Sequence, residues 1–147
     1  AAGLKALCWL LAQQTSAEGY LSVVGNDGWF RRGGERARFA QQPIEAMCLC
    51  LACSEAYRST QDERWADEAQ RCLDWFLGAN DLNAPLCDFR TGGCFDGLES
   101  EGTNSNEGAE STLAWIITLE AMHELTALRS VNRDAAEAAG DGEQAPA

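Results

Sequence analysis

The sequence is poor in basic residues. It has 11 Lys and Arg against 23 Asp and Glu, a formal net charge of −12 at pH 7. Proteins neutralise nucleic-acid phosphates with clustered Lys and Arg, so this balance argues against a nucleic-acid partner. It also argues against an anionic membrane surface. No apolar run approaches the ~20 residues that span a bilayer. We therefore expect no membrane partner.

Histidine is almost absent, since His123 is the only one. This argues against a Ser-His-Asp hydrolase, and no Gly-x-Ser-x-Gly motif is present. A structural zinc site needs four ligands, whereas Cys50-x-x-Cys53 lies in a helical pattern without a second pair. We expect no metal and no cofactor.

Cysteine is abundant, with seven residues. Five of them fall within helical apolar patterns, which suits small buried hydrophobes in a reducing compartment. Disulfide frameworks usually occur in loop-rich secreted domains, and the odd number leaves at least one thiol unpaired. We predict a cytoplasmic protein with free thiols. The five are Cys8, Cys48, Cys50, Cys53 and Cys72.

Apolar spacing predicts four helices and an all-α fold. The first carries Leu4, Leu7, Cys8 and Leu11, and residues 20–24 suggest a short strand after it. Pro43 opens the second helix, at the position where its missing N–H costs nothing. The third runs from about Trp65 to Leu77, ended by Gly78. The fourth begins near residue 106 or 107 and ends at about 129.

Two segments lack helical spacing. Residues 79–106 form a long loop, which we expect to be ordered because its Phe and Leu side chains can pin it to the helices. Residues 130–147 have no large apolar side chain after Val131, and we predict an acidic, disordered tail whose removal costs no stability. The predicted domain therefore spans residues 1–129.

Four motifs are distinctive. They are residues 41–46 (Gln-Gln-Pro-Ile-Glu-Ala), 75–82 (Trp-Phe-Leu-Gly-x-Asn-Asp-Leu), 85–98 (Pro-Leu-x-Asp-Phe-x-Thr-Gly-Gly-Cys-x-Asp-Gly-Leu) and 104–114 (Asn-x-Asn-Glu-Gly-Ala-Glu-Ser-Thr-Leu-Ala). Together they resemble the C-terminal six-hairpin glycosidase-like (α/α)6 toroid domain of bacterial glycosyltransferase-associated proteins. The resemblance covers roughly residues 27–122. Two positions depart from the family pattern: Ala40 replaces an acidic residue, and Glu107 replaces a Gln.

The resemblance implies a toroid built of helical hairpins that acts on carbohydrate. A closed ring of twelve helices needs roughly 300 residues, whereas this sequence predicts four helices. We therefore expect part of a toroid with a long ordered loop. We also expect its partners to be a saccharide or glycan and a missing N-terminal part of the same protein, in some members with a glycosyltransferase domain.

Glycoside chemistry needs paired carboxylates, one acting as acid and the other as base or nucleophile. The predicted catalytic residues are Asp88, Asp96 and Glu110, converging on one cavity lined by the long loop. Asp96 is expected to be the more desolvated, whereas Glu110, at a helix start, favours a base or hydroxyl-binding role. Alternatively, Glu107 and Glu110 share a helix face and simply stabilise the N-terminus of the fourth helix.

The predicted substrate-binding residues are of several chemical types. An exposed Trp stacks on sugar rings, glycines admit a close ligand, and carboxylate or amide groups bind hydroxyls. Each also has a structural explanation, such as a tight turn, a helix cap or a solvated loop. The residues are Glu45, Trp29, Gly92, Gly93 and Asn104.

The sequence therefore predicts a carbohydrate-active domain, either glycosidase-like or accessory to a glycosyltransferase. Hydrolysis, phosphorolysis and binding alone all stay open. The alternative is a non-catalytic helical scaffold whose long loop binds another protein.

Overall fold

The computed structural model describes residues 2–141, and within that range it is predominantly helical. A two-stranded antiparallel hairpin precedes the last helix, pairing Leu98 with Thr103. The all-α prediction is confirmed at this level. The elements are α1 (Ala2–Gln13), α2 (Pro43–Thr60), α3 (Arg64–Phe76), β1 (Leu98–Glu99), β2 (Gly102–Thr103) and α4 (Ala109–Asp141).

The helix pair α2–α3 is joined by a short turn. Pro43 occupies the first turn of α2, as predicted. Gln61 ends α2 in the left-handed conformation at φ 57°, and its N–H donates to the Tyr57 carbonyl at 2.8 Å. Gly78, at φ 109°, follows α3 and takes a conformation that suits glycine. Short connections of this kind place α2 and α3 side by side.

The core lies where α2 packs against α3 and α4. The rings of Trp75 and Phe76 pack edge to face with their centroids 5.1 Å apart. The ring centroids of Phe76 and Trp115 lie 5.4 Å apart. Burial of large aromatic surfaces is a major stabilising contribution in a domain of this size. None of the helices within residues 2–141 combines the length and apolar character that crossing a bilayer requires.

The segment between α1 and α2 is irregular. The short strand predicted at residues 20–24 is reduced to an isolated bridge between Thr15 and Leu21. The Arg36 guanidinium donates to the carbonyls of Gln13, at 2.8 Å, and Ser22, at 2.5 Å. Side-chain donors thus replace the ladder of hydrogen bonds that a strand would need.

The long loop is ordered, as predicted. Asn80 organises its beginning: Nδ2 donates to the carbonyls of Trp75 at 2.9 Å and Ala84 at 2.7 Å. Leu86 and Leu98 are fully buried. Phe89, by contrast, is 78% exposed, so the prediction that it pins the loop is wrong. The leucines perform that role.

α4 differs from the prediction at both ends. It begins at Ala109, so Glu107 precedes the helix and does not share a helical face with Glu110. It continues to Asp141, which corrects the disordered tail predicted from Ser130. Ala, Glu and Arg are good helix formers, and the Asn132 amide bonds to the Gln61 side chain. Residues 142–147 of that tail lie outside the described residues.

The cysteines are less uniformly buried than predicted. Cys50, Cys53 and Cys72 are buried between the helices, as expected. Cys48 is exposed and Cys8 is only half-buried, so the prediction is wrong for these two. Apolar periodicity does not show which side of a broad stripe remains uncovered.

Candidate functional site

The loop–helix junction, residues 86–112, carries most of the predicted site residues. Its central side chain is Asp96. Oδ1 accepts hydrogen bonds from the Gly108 N–H and the Ser111 hydroxyl, both at 2.7 Å. Oδ2 accepts from the Asn106 amide at 2.5 Å. Asp96 therefore holds the start of α4, supplying an acceptor for donors that have no partner within the helix.

The same bonds determine the charge of Asp96. The hydrogen bonds from Asn106 and Ser111 lower its pKa, because each is stronger to the ionised carboxylate. Desolvation opposes this shift but does not overcome it. Asp96 is more buried than Glu110, as expected, but its hydrogen bonds outweigh the desolvation, so its pKa is lowered and the ionised form is favoured.

Asp88 is also committed to the loop itself. Its carboxylate accepts from the Arg90 backbone N–H at 2.8 Å and from the Arg90 guanidinium at 2.6 Å. The Arg90 side chain is the main reason that the Asp88 pKa falls to about 2. Only 7% of the Asp88 side chain is exposed, against 87% for Arg90. Asp88 thus shapes the turn at residues 88–91.

The two adjacent glycines of the turn, Gly92 and Gly93, have different functions. Gly92 lies at φ 79°, where other residues are strained. Gly93 makes room for a carboxylate: a Cβ at this position would overlap the Glu107 side chain. Glu107 accepts a hydrogen bond from the Thr91 hydroxyl at 2.7 Å. The close approach that Gly93 permits is thus used by the protein's own Glu107.

Three contacts attach the loop to α4. Besides the Asp96 cluster and the Thr91–Glu107 bond, the Cys94 N–H donates to the Thr112 hydroxyl at 3.3 Å. Thr112 lies in the first turn of α4. The glycine-rich turn is therefore fixed relative to the helix that bears Glu110.

The other predicted residues are at the surface. Glu110 and Glu45 are exposed in the first turns of α4 and α2. Trp29 is 68% exposed, at φ 64°. The Asn104 side chain accepts from the Asn106 N–H at 3.1 Å, so it organises the turn before α4. The structure thus brings Asp88, Asp96, Gly92, Gly93 and Asn104 into one bonded junction, and it leaves Glu110, Glu45 and Trp29 exposed.

A groove lies elsewhere on the described part of the chain. It has a volume of about 830 Å³ and separates the α2–α3 turn from the C-terminal half of α4. Tyr57, Glu63, Arg129 and Arg133 are among its lining residues. None of the predicted catalytic residues lines it. The convergence of Asp88, Asp96 and Glu110 on a cavity therefore stays a prediction.

Sequence reasoning missed the role of the Gln41 side chain, which makes four hydrogen bonds. Its Oε1 accepts from the Trp75 indole N–H at 2.8 Å and from the Val23 N–H at 3.2 Å. Its Nε2 donates to the Arg38 carbonyl at 2.7 Å and to the Asp81 carboxylate at 2.6 Å. Gln41 was visible only as part of a motif, because polarity alone predicts an exposed residue.

The junction is acidic. Asp88, Asp96, Glu107 and Glu110 lie within it, and Arg90 is its only basic residue. Within residues 2–141, no group of three or more His, Cys, Asp or Glu side chains is placed to hold a metal ion. The junction therefore offers hydrogen-bond acceptors, which suits a neutral, hydroxyl-rich ligand better than an anionic one.

No protein-family model matches this chain, and no curated protein shows a significant match.

Proposed function

We propose that this chain is a carbohydrate-active domain, part of an (α/α)6 toroid, and that its loop–helix junction binds a saccharide. One observation carries the proposal. The four motifs of the carbohydrate-active resemblance, one at residues 41–46 and three within residues 75–114, are bonded into one structure through Gln41 and Asp96. Residues that act together at one site are expected to show such proximity.

Gln41 joins three of the motifs. Its side chain bonds to Trp75 and Asp81 of the second motif at 2.8 and 2.6 Å. Its backbone pairs with Leu98 of the third motif through N–H···O bonds of 3.1 and 2.9 Å. The side chain is completely buried, and its amide group makes all four of the hydrogen bonds that it can make. A buried amide with every bond made is rigid and fixes the segments around it.

Asp96 joins the third motif to the fourth. It accepts bonds from Asn106, Gly108 and Ser111, all within residues 104–114. Gly108 is required at its position, since a Cβ there would lie 2.6 Å from the Asp96 carboxylate. These contacts explain why acidic, glycine and hydroxyl residues recur in the two motifs. These contacts fix the start of α4, the helix whose first turn carries Glu110.

The charges favour saccharide binding over acid catalysis by the loop carboxylates. A general acid needs a raised pKa to hold its proton at neutral pH. The pKa values of Asp88 and Asp96 are both lowered. These residues are positioning residues in the proposal, and Glu110 is the carboxylate that meets sugar hydroxyls.

Trp29, an exposed aromatic side chain between α1 and α2, is the apolar contact that we assign to the saccharide. Its indole is 68% exposed. Exposed aromatic rings of this kind stack on the C–H faces of pyranose rings. Trp65, Trp75 and Trp115 are buried in the core and contribute to folding. Trp29 is therefore the tryptophan expected to sense a bound saccharide.

The test is a titration of the 147-residue chain with neutral oligosaccharides, read by tryptophan fluorescence and by calorimetry. Glu110→Gln and Trp29→Ala should each weaken binding by about tenfold, the effect of losing one good polar or stacking contact. Trp9→Ala is the matched control, because Trp9 is 59% exposed on α1. Equal affinity in the wild type and both site variants would refute the assignment of the site.

A second function is favoured by a different observation. Leu113, Ile116 and Ile117 form an apolar row on α4, with 56%, 50% and 40% of each residue exposed. Contiguous exposed apolar side chains are typical of protein-binding surfaces. A helical scaffold that docks another protein through α4 is therefore the alternative. This alternative predicts that the chain binds another protein through α4 and binds no saccharide.

A further inference from the structure

The antiparallel bridge between Cys87 and Cys94 places two cysteines directly opposite each other. The Asp88 N–H donates to the Gly93 carbonyl at 2.9 Å, and the Phe95 N–H donates to the Leu86 carbonyl at 2.8 Å. These bonds flank the cysteines and do not join them to each other. Cys87 and Cys94 are therefore a non-hydrogen-bonded pair, the pair type with the closer side chains.

This pair type matches the geometry of a disulfide. Its Cα atoms lie about 4.5 Å apart, and a disulfide requires roughly 4.4–6.8 Å. Directly opposite side chains also extend from the same face of the two strands. Both residues are buried, with 4% and 0% exposed, so the two thiols share one enclosed space.

We propose that Cys87 and Cys94 are a redox pair that forms a cross-strand disulfide and locks the glycine-rich turn between them. The turn holds Asp88, Thr91 and Gly93 of the junction. In the reduced protein each thiol donates to a carbonyl, Cys87 to Phe76 at 3.6 Å and Cys94 to Phe95 at 3.4 Å. A thiol is a weak hydrogen-bond donor, so losing these two hydrogen bonds when the disulfide forms costs little.

The oxidant is a low-molecular-weight disulfide such as glutathione disulfide. The Cys87 thiolate attacks one of its sulfurs, forming a mixed disulfide and releasing one glutathione thiolate. The Cys94 thiolate then attacks the Cys87 sulfur and releases the second glutathione. Two protein S–H bonds and one glutathione S–S bond are broken. One protein S–S bond forms, and the two protons end on the glutathione thiols.

The enclosure makes the exchange selective and slow. Burial is the main reason that the Cys94 pKa rises to about 12, and the adjacent Cys87 adds to it. Burial also raises the pKa of Cys87. Because the thiolate is the reactive form, reaction requires the turn to open. Once the disulfide has formed, that opening is suppressed.

Peptide mapping tests the pair directly in the 147-residue chain. Protein equilibrated with glutathione disulfide is alkylated, unfolded and digested with trypsin without reductant. Arg90 lies between the two cysteines, so the disulfide joins peptide 72–90 to peptide 91–129, and reductant separates them. Cys94 is the only cysteine in the second peptide, whereas Cys72 accompanies Cys87 in the first. Cys72→Ala therefore establishes which of the two is linked.

The expected result is the linked pair in the wild type, in Cys72→Ala and in the exposed-thiol control Cys48→Ser, and no link in Cys94→Ser. Oxidation should also slow native tryptic cleavage after Arg90 by about tenfold, because it suppresses local opening. Absence of the linked peptides in wild-type protein would overturn the proposal. Loss of the link in Cys72→Ala would do so too. Neither measurement requires a saccharide, so the result is independent of the proposed function.

Discussion

The indole N–H of Trp75 donates a 2.8 Å hydrogen bond to the side-chain oxygen of Gln41, and both residues are completely buried. Trp75 lies on α3 and Gln41 lies two residues before the start of α2. Through its backbone bridge to Leu98, Gln41 also holds the long loop. One amide thus connects the helical core to the loop–helix junction, so its loss should affect both.

Gln41→Leu should lower the free energy of unfolding by roughly 3 kcal/mol. The substitution keeps most of the volume but leaves the Trp75 N–H and the Val23 N–H buried without acceptors, and each such group costs about 1–3 kcal/mol. Urea denaturation measures the change. Gln42→Leu is the neighbouring control, since the Gln42 side chain makes no capping bond to α2, and it should stay within about 0.5 kcal/mol. Equal effects would mean that the Gln41 network contributes no stability.

Gly97→Ala should destabilise the protein more than Gly93→Ala. A Cβ on Gly97 would lie 2.7 Å from the Gln41 carbonyl oxygen, a backbone atom that moves only with the loop. A Cβ on Gly93 meets the end of the Glu107 side chain, which can rotate away at the cost of its bond to Thr91. We expect a loss of about 2 kcal/mol for Gly97→Ala, typical of overpacking, and about 1 kcal/mol or less for Gly93→Ala. Thermal unfolding of both variants under one condition tests the order.

The sequence was sufficient for α2 and α3 and insufficient for the bounds of α4 and for the junction. Pro43, Gly78 and the apolar spacing are local signals, and they placed α2 and α3 to within a residue or two. The end of α4 was missed because low apolar content was equated with disorder. Helix propensity, together with contacts such as that of Asn132 with Gln61, extends α4 beyond residue 129.

The roles of the carboxylates depend on hydrogen-bond partners that the fold brings close. Asp96 was predicted to be desolvated from its neighbours in sequence, Phe95 and Gly97. Its decisive partners, Asn106, Gly108 and Ser111, are ten or more residues away, and they lower its pKa. A single sequence does not indicate which hydroxyl or amide will meet a carboxylate.

Asp88 should make stability depend on pH in acid. Its pKa is lowered from 3.8 to about 2 in the folded protein, first by the Arg90 side chain. A lowered folded pKa means that the contribution is fully present above pH ~4 and is lost as the pH falls through about 2. Denaturation of the wild type and Asp88→Asn should show a stability difference at pH 6 that shrinks towards pH 2. Asp27→Asn, which removes an exposed carboxylate between α1 and α2, is the control. A difference independent of pH would show that the Arg90 pair does not couple to folding.

Truncation after Arg129 should now cost a small amount of stability. The last part of α4 bonds to the α2–α3 turn through Asn132 and Gln61, and both of these side chains reach solvent. Exposed hydrogen bonds contribute about 0.5–1.5 kcal/mol, so we expect a loss of about 1 kcal/mol. The Arg129–Glu63 ion pair is kept in the shortened chain. Asn132→Ala in the full chain isolates the bond, and it should reproduce most of the loss. If the truncated chain is as stable as the full chain, the tail is dispensable, as the sequence predicted.

The exposed apolar row of α4 should cause this chain to self-associate. Leu113, Ile116 and Ile117 lie on one helical face, and covering that surface with a second copy removes it from water. Sedimentation velocity at increasing concentration should show a rising weight-average mass for the wild type. Ile116→Gln should weaken this association by about tenfold or more, because it places an amide at the centre of the row.

Leu10→Gln is the matched control for the self-association experiment. Leu10 is 38% exposed on α1, a different helix from the one that carries the row. The substitution also replaces an exposed apolar side chain without a change in charge, so it should leave the association almost unchanged. Equal weakening by Ile116→Gln and Leu10→Gln would indicate general surface hydrophobicity. A wild type that stays monomeric at every concentration would show that the row is too small or too well hydrated to drive association by itself.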